Sequence, residues 1–269
     1  MLETIKETTS YIKRKTDFVP EVGIILGTGL GGMVREIESQ YILDYEEIPD
    51  FPISTVEGHH GKLIFGKIKG KNVIAMQGRF HYYEGYTTQQ VTFPVRVMKN
   101  LGIHHLFVSN ASGGVNPDYE IGDLMVVDDH INLIPNPLIG AHYPEFGARF
   151  PDMSNTYDKV LISKALAIAR KEKINVQRGC YVATTGPTLE TPKEYEYFRA
   201  IGGDAVGMST VPEIIVAHQM GIICFAISII TDLGIHGKIV KVTLEDVQKV
   251  AGEAEPKMTL IMKELIAGL

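Results

Sequence analysis

Short, nearly uninterrupted apolar runs recur along this chain, and they constrain its fold more than any other feature. Val22-Gly23-Ile24-Ile25-Leu26 is the first, and others span 62–68, 71–76, 104–109, 123–128, 179–185, 204–207 and 221–230. A strand that reads as a continuous apolar run is covered on both faces. Between the runs lie stretches with helical patterning near 3–15, 87–100, 157–172, 191–201, 212–220 and 243–267. This alternation predicts an α/β fold: a central mixed, largely buried β-sheet flanked by helices. No repeat, low-complexity tract or flexible linker interrupts the 269 residues, so 1–269 reads as a single domain.

Local signals sharpen the picture. Ile5, Thr8 and Ile12 share one side of the first helix, and Lys13-Arg14-Lys15 sit on its wet face. Thr191-Pro192-Lys193-Glu194 is a capping box with proline at the first helical position, and Ser154-Asn155-Thr156 is read as a second helix start. Pro94 and Pro256 fall inside helical patterns, where kinks or breaks are expected. The proline-rich segment 132–152 is predicted to be a long ordered loop, a length usually kept for function or subunit contact.

Bulk properties exclude several classes. A net charge of -6 with no offsetting basic tract argues against nucleic-acid binding. Cys180 and Cys224 lie in apolar runs with no metal-ligand spacing, so buried reduced thiols and a cytoplasmic setting are expected. The N-terminus carries no signal pattern, and the run 221–230 is about half of what a membrane span needs.

The chemistry concentrates in turns after strands. In Gln77-Gly78-Arg79-Phe80-His81-Tyr82-Tyr83-Glu84-Gly85-Tyr86, an arginine, a histidine and a tyrosine alternate, so an extended backbone would aim all three to one side. A guanidinium fork suits phosphate, and the two rings suit a sugar's hydroxyls; a solvated loop after a strand is the plain alternative. Gly27-Thr28-Gly29-Leu30-Gly31-Gly32 follows a strand and matches the dinucleotide pattern. That pattern also needs a second buried strand, and Tyr41 to Glu47 is too polar for one. A turn that receives a single phosphate, with Thr28 as hydroxyl donor, fits better; a turn with no ligand remains open. His59, between Gly58 and Gly61, is a ligand or a structural histidine. Asn110 to Asn116 is read as a small-residue turn at a strand's carboxyl end, where open α/β sheets place ligands. Thr185 to Thr191 presents Glu190, which otherwise serves only a helix dipole. Gly207 to Glu213 offers Ser209 as a phosphate donor.

Taken in order, these motifs, with Val91-Thr92-Phe93-Pro94-Val95-Arg96, Asp129-His130-Ile131-Asn132 and Asp204 to Glu213, resemble the purine nucleoside phosphorylases of the trimeric class. The likeness runs from about residue 20 to 231, most of the chain. It implies reversible phosphorolysis of purine (deoxy)ribonucleosides to free base and (deoxy)ribose 1-phosphate. Inorganic phosphate is then a co-substrate, with no cofactor and no metal, and a homotrimer is the implied assembly. By resemblance, phosphate is held by Thr28, His59, Arg79, His81, the Ala111 amide and Ser209. Sugar contacts match His81, Tyr83 and Met208. The base site matches Glu190, with Leu189, Ala111, Ser112 and Gly113 against the ring, and Phe150 matches a residue that closes a neighbouring subunit's pocket. His81, Glu190 and Asp232 are the catalytic candidates.

Two departures from the family's pattern stand out. Asp232 replaces the usual asparagine that serves O6 and N7, which predicts some adenosine activity or a protonated Asp232 when inosine binds. Leu244 replaces the usual histidine at the 5′-hydroxyl, a role that His236 is placed to fill instead. The apolar 5′ side resembles the methylthioadenosine phosphorylases, although Glu190 does not. Methylthioadenosine phosphorylase is therefore one alternative, and a non-enzymatic nucleoside sensor is another.

Overall fold

The computed structural model describes residues 1–28, 30–53 and 60–269. In chain order the elements are α1 (Leu2–Lys15), β1 (Val22–Leu26), β2 (Glu38–Asp44), β3 (Lys62–Ile68), β4 (Lys71–Gln77), α2 (Thr88–Val91), α3 (Phe93–Leu101), β5 (His105–Gly114) and β6 (Leu124–Asn132). They continue with α4 (Lys159–Lys171), β7 (Val176–Ala183), α5 (Pro192–Ala200), β8 (Ala205–Gly207), α6 (Val211–Gln219), β9 (Ile223–Leu233) and α7 (Leu244–Ala267).

The strands form one mixed sheet ordered β2-β3-β4-β1-β5-β8-β7-β6-β9, and β5 also pairs with β9. The second pairing closes five of the strands, β5, β8, β7, β6 and β9, into a barrel, and leaves β1 to β4 as an open wing. The expected mixed, largely buried sheet is present, with a closure that no local pattern announces. Every residue of β1 is buried, as a continuous apolar run requires when parallel neighbours flank it on both edges. The polar stretch rejected above as a central strand does form a strand, β2, but at the wing's outer edge, where one face meets water.

Helix signals were met unevenly. Ile5, Thr8 and Ile12 are fully buried on α1, and Thr191 caps α5 by accepting from the Glu194 amide at 3.2 Å. The expected break near Pro94 falls at Thr92, between α2 and α3, with the proline in the first turn of α3. The start of α4 is Asp158, not Ser154 to Thr156: its carboxylate accepts from the Leu161 amide at 2.7 Å. Pro256 does not break α7. The carbonyl it deprives of a partner belongs to exposed Gly252, so water can satisfy it. Segment 132–152 is mostly loop, with one short 3₁₀ turn at Pro144–Phe146. No helix among the described residues is long and apolar enough to cross a membrane.

The fold opens a hollow where neighbouring strands end at different heights. β1 stops at Leu26, while β5 pairs with it only as far as Val108 and runs on to Gly114. Past that point β5 loses its β1 neighbour until β8 takes over at Gly113. Of the segment expected to be a turn, Asn110 to Asn116, the part up to Gly114 is strand, paired with β9 from Ser228 to Leu233 across a bulge between Ser112 and Gly113. Its small side chains leave room beside the uncovered edge.

Candidate active site

A cavity of about 570 Å³ occupies that gap. Thr28, Arg79, His81, Ala111 and Ser209 line one end, and Glu190, Leu189, Gly113 and Asp232 line the other. Tyr83, Ser112, Met208 and Leu244 complete the set. Segments distant in sequence thus meet at one cavity. His59 lies outside the described residues, as does Gly29 of the glycine turn. Phe150 is 88% exposed and borders a separate hollow with His130, Asn132 and Met153. His236 is not among the cavity's lining residues, whereas Leu244 is.

At the first of these ends, Arg79 is buried and its fork is already engaged. Nε and Nη2 donate to the two carboxylate oxygens of Glu213 at 3.2 and 3.1 Å. Nη1 donates to the Ser109 carbonyl at 2.8 Å and to Ser209 Oγ at 3.2 Å. The expectation of a fork presented to phosphate is therefore corrected: Glu213 takes the bidentate edge, and Nη1 faces the side of Ser209. A buried guanidinium needs such a counter-charge to offset its lost hydration. Gly27 makes the packing possible, since a Cβ there would sit 2.9 Å from the Ser109 carbonyl and 3.3 Å from Nη1.

Ser209 is held by unusual backbone. Thr210 has φ 67° and ψ -58°, and the Val211 amide donates to the Ser209 carbonyl at 2.7 Å, a tight γ-turn. A β-branched residue with positive φ is strained. Asn110 Nδ2 donates to Thr210 Oγ1 at 2.9 Å and helps keep it there.

His81 meets the cavity from the other side. Its Nδ1 lies 2.9 Å from Glu84 Oε1, which also accepts from the His81 amide at 2.8 Å. A carboxylate at Nδ1 fixes the proton there, so the neutral ring is a base at Nε2. Burial holds the imidazole's pKa below its ordinary value, and Glu84 opposes that shift. Tyr83 stacks on the ring with centroids 4.6 Å apart. Burial also pushes the Tyr83 phenol up to about 12.

At the other end, burial raises the pKa of Glu190 and of Asp232, and Asp232 adds to the shift on Glu190. Thr231 Oγ1 donates to Asp232 Oδ1 at 2.9 Å, and Thr184 Oγ1 to Glu190 Oε1 at 3.4 Å. Gly113 leaves room for Asp232, because a Cβ at that position would sit 2.9 Å from Oδ2.

The sequence reading missed Glu84, Glu213 and Thr231. Glu84 was findable as the third residue after His81, a capping spacing. Glu213 carries no local sign of its partner, which is 134 positions away.

Comparison with known proteins agrees with this geometry. The family model described as Phosphorylase superfamily matches residues 21–267. A protein named purine nucleoside phosphorylase 1 from Bacillus subtilis (strain 168) is 48% identical over 268 residues, covering 99% of each chain. The purine nucleoside phosphorylase of Bos taurus is 43% identical over 275 residues, covering 99% of this chain and 95% of its own. A crystal structure of Schistosoma mansoni purine nucleoside phosphorylase with adenosine superposes at a TM-score of 0.94 with 39% identity, covering 99% of this chain and 97% of the other. A schistosoma purine nucleoside phosphorylase with hypoxanthine also superposes at 0.94, with 38% identity over the same shares. The fold, the convergence of the motifs and these likenesses agree, and the chain belongs to the phosphorylase superfamily, among its purine nucleoside phosphorylases.

Proposed function

We propose that this protein catalyses the reversible phosphorolysis of purine ribo- and deoxyribonucleosides, releasing free base and (deoxy)ribose 1-phosphate. The observation that carries the reading is one cavity with an anion end at Arg79, Ser209 and Thr28 and a two-carboxylate end at Glu190 and Asp232. A nucleoside spans such a cavity with its sugar between the ends, near His81, Tyr83 and Met208.

Phosphate oxygen attacks C1′ as the bond to N9 breaks, and the electron pair leaves with the purine. Positive charge builds on the sugar, where the phosphate beneath C1′ stabilises it. Negative charge builds on the base, where N7 takes the proton of the Asp232 carboxyl and leaves Asp232 as a carboxylate. Phosphate itself is the nucleophile, so the proposal invokes no cofactor and no metal. Thr28, Ser209, the Ala111 amide and Arg79 hold the anion, and Glu190 accepts from N1–H of a 6-oxopurine. Asp232 suits a 6-amino group as a carboxylate and O6 when protonated.

Phosphate-dependent release of base from inosine, adenosine and methylthioadenosine tests this directly. Turnover of inosine with measurable turnover of adenosine is expected. Turnover confined to methylthioadenosine would instead favour the reading suggested by apolar Leu244 and Val247 at the cavity wall. Nucleoside binding without cleavage would leave a sensor. In the same assay Glu190→Ala should lower kcat/KM on inosine at least roughly tenfold, about 1.4 kcal/mol; unchanged kinetics would remove Glu190 from the base site.

A homotrimer is part of the proposal. Phe150 and Ile139 are 88% and 67% exposed beside one hollow, an apolar edge suited to a neighbouring subunit. Light scattering should give three times the chain mass, and a monomer would defeat the assignment of Phe150. The free thiols Cys180 and Cys224 suit the cytoplasm.

A further inference from the structure

The Ser209 hydroxyl belongs to a chain of polar side chains whose donors and acceptors can be counted. Arg79 Nη1 donates to Ser209 Oγ at 3.2 Å. The Ser209 and Thr210 hydroxyl oxygens are 3.2 Å apart, and either can donate to the other. Asn110 Nδ2 donates to Thr210 Oγ1 at 2.9 Å. Thr210 is fully buried and does not line the cavity, so it reaches a ligand only through Ser209. Glycine would adopt its φ of 67° without strain, so what threonine adds at this turn is a hydroxyl.

We propose that Thr210 is a positioning residue that gives its hydroxyl proton to Ser209 and so commits the Ser209 proton to phosphate. The inference rests on the phosphorylase reading, which supplies the phosphate.

A serine hydroxyl carries one donor and two acceptor lone pairs. A guanidinium only donates, so Arg79 fills one lone pair of Ser209. Two arrangements of the remaining protons are then open. In the first, Thr210 donates to Ser209, both Ser209 lone pairs are filled, and its own proton is left for an oxygen in the cavity. In the second, Ser209 donates to Thr210. Among the described residues the Thr210 hydroxyl meets only Asn110 and Ser209, so its proton then has no acceptor. A buried donor left unpaired is costly, whereas the first arrangement turns its one open donor toward the cavity. The second also aims a Ser209 lone pair at an anion, which repels it. Asn110 favours the first arrangement as well. Its Oδ1 is buried without a partner, a position that a carbonyl oxygen tolerates better than an N–H group would, so the amide keeps its donor on Thr210. The buried Tyr181 hydroxyl beside Gly207 forms no hydrogen bond of ordinary geometry, so it claims neither proton. Fixed in this way, Ser209 is a preorganised donor aimed at an oxyanion.

Thr210→Val keeps the branched shape and removes the hydroxyl. Phosphate affinity measured by calorimetry should fall about tenfold, and the KM for phosphate should rise to match while kcat changes little. Thr210→Ser should restore both. Thr210→Ala, which relaxes the branched side chain at this turn, should show the same loss and carries the test if the valine variant does not fold. Tyr181→Phe should leave phosphate affinity unchanged. On a Ser209→Ala background, Thr210→Val should cause no further loss, because its effect passes through Ser209. Full phosphate affinity in a folded Thr210→Val or Thr210→Ala protein would overturn the proposal. So would a loss that persists on the Ser209→Ala background, or one of equal size in Tyr181→Phe. Inosine turnover with phosphate affinity unmoved in these variants would leave phosphorolysis standing and sink only the role of Thr210. Phosphate affinities that follow the expected pattern in a protein that cleaves no nucleoside would support Thr210 and sink the phosphorolysis reading.

Discussion

Arg79→Met should destabilise the fold by about 3–5 kcal/mol, because it strands the Glu213 carboxylate in the interior. Arg79 and Glu213 are 1% and 2% exposed, so water cannot rescue the widowed charge. The Ser109 carbonyl loses a donor as well. Replacing both partners, Arg79→Met with Glu213→Leu, should recover most of the loss in urea denaturation, since apolar groups of similar volume tolerate such a site. Activity should not return with it. The anion end would still lack the charge beside Ser209, and kcat/KM for phosphate should stay down by roughly 10²–10³-fold. A double variant that regains both stability and phosphate kinetics would reduce Arg79 to a brace for α6. The observed duty of the guanidinium is to tie the exit of β4 to α6, and the double variant separates that duty from the proposed one of supplying charge to phosphate.

How much of this was legible beforehand differs from residue to residue. β1 and β4 were readable because burial on both faces leaves a continuous apolar signature. β2 was not, because an edge strand with a wet face looks like a loop. The pairing of β5 with β9 joins residues more than 100 positions apart, and nothing local encodes it. Within the site, Arg79 and His81 do point away from Phe80, which is buried against Tyr45, as alternation requires. Tyr83 reaches the cavity for another reason. The chain turns into a 3₁₀ helix at Tyr82–Glu84, and the phenol folds back to stack on His81. The strained Thr210 was invisible, because it depends on what another part of the chain places against it.

The geometry around His81 leads to the other large effect. Glu84 holds Nδ1, so Nε2 is the atom that can take a proton from a phosphate hydroxyl as the nucleophile forms. That role requires the neutral ring. Burial depresses the pKa of His81, so the ring stays neutral through the physiological range and charges only on acidification below its ordinary value of about 6.5. The sign follows: kcat should fall on acidification as the ring takes up a proton, at a pH that the charge of bound phosphate moves upward from the depressed value of the free site. His81→Ala should lower kcat by roughly 10²–10⁴-fold and abolish that acid limb. Glu84 raises the ring's pKa, so Glu84→Gln should move the limb to lower pH while weakening the orientation of the ring. Measuring kcat rather than kcat/KM matters here, because it reports groups in the bound complex and not the titration of free phosphate. An acid limb that survives in His81→Ala would assign the proton acceptor to some other group, and a limb that moves upward in Glu84→Gln would contradict the electrostatic role given to this carboxylate.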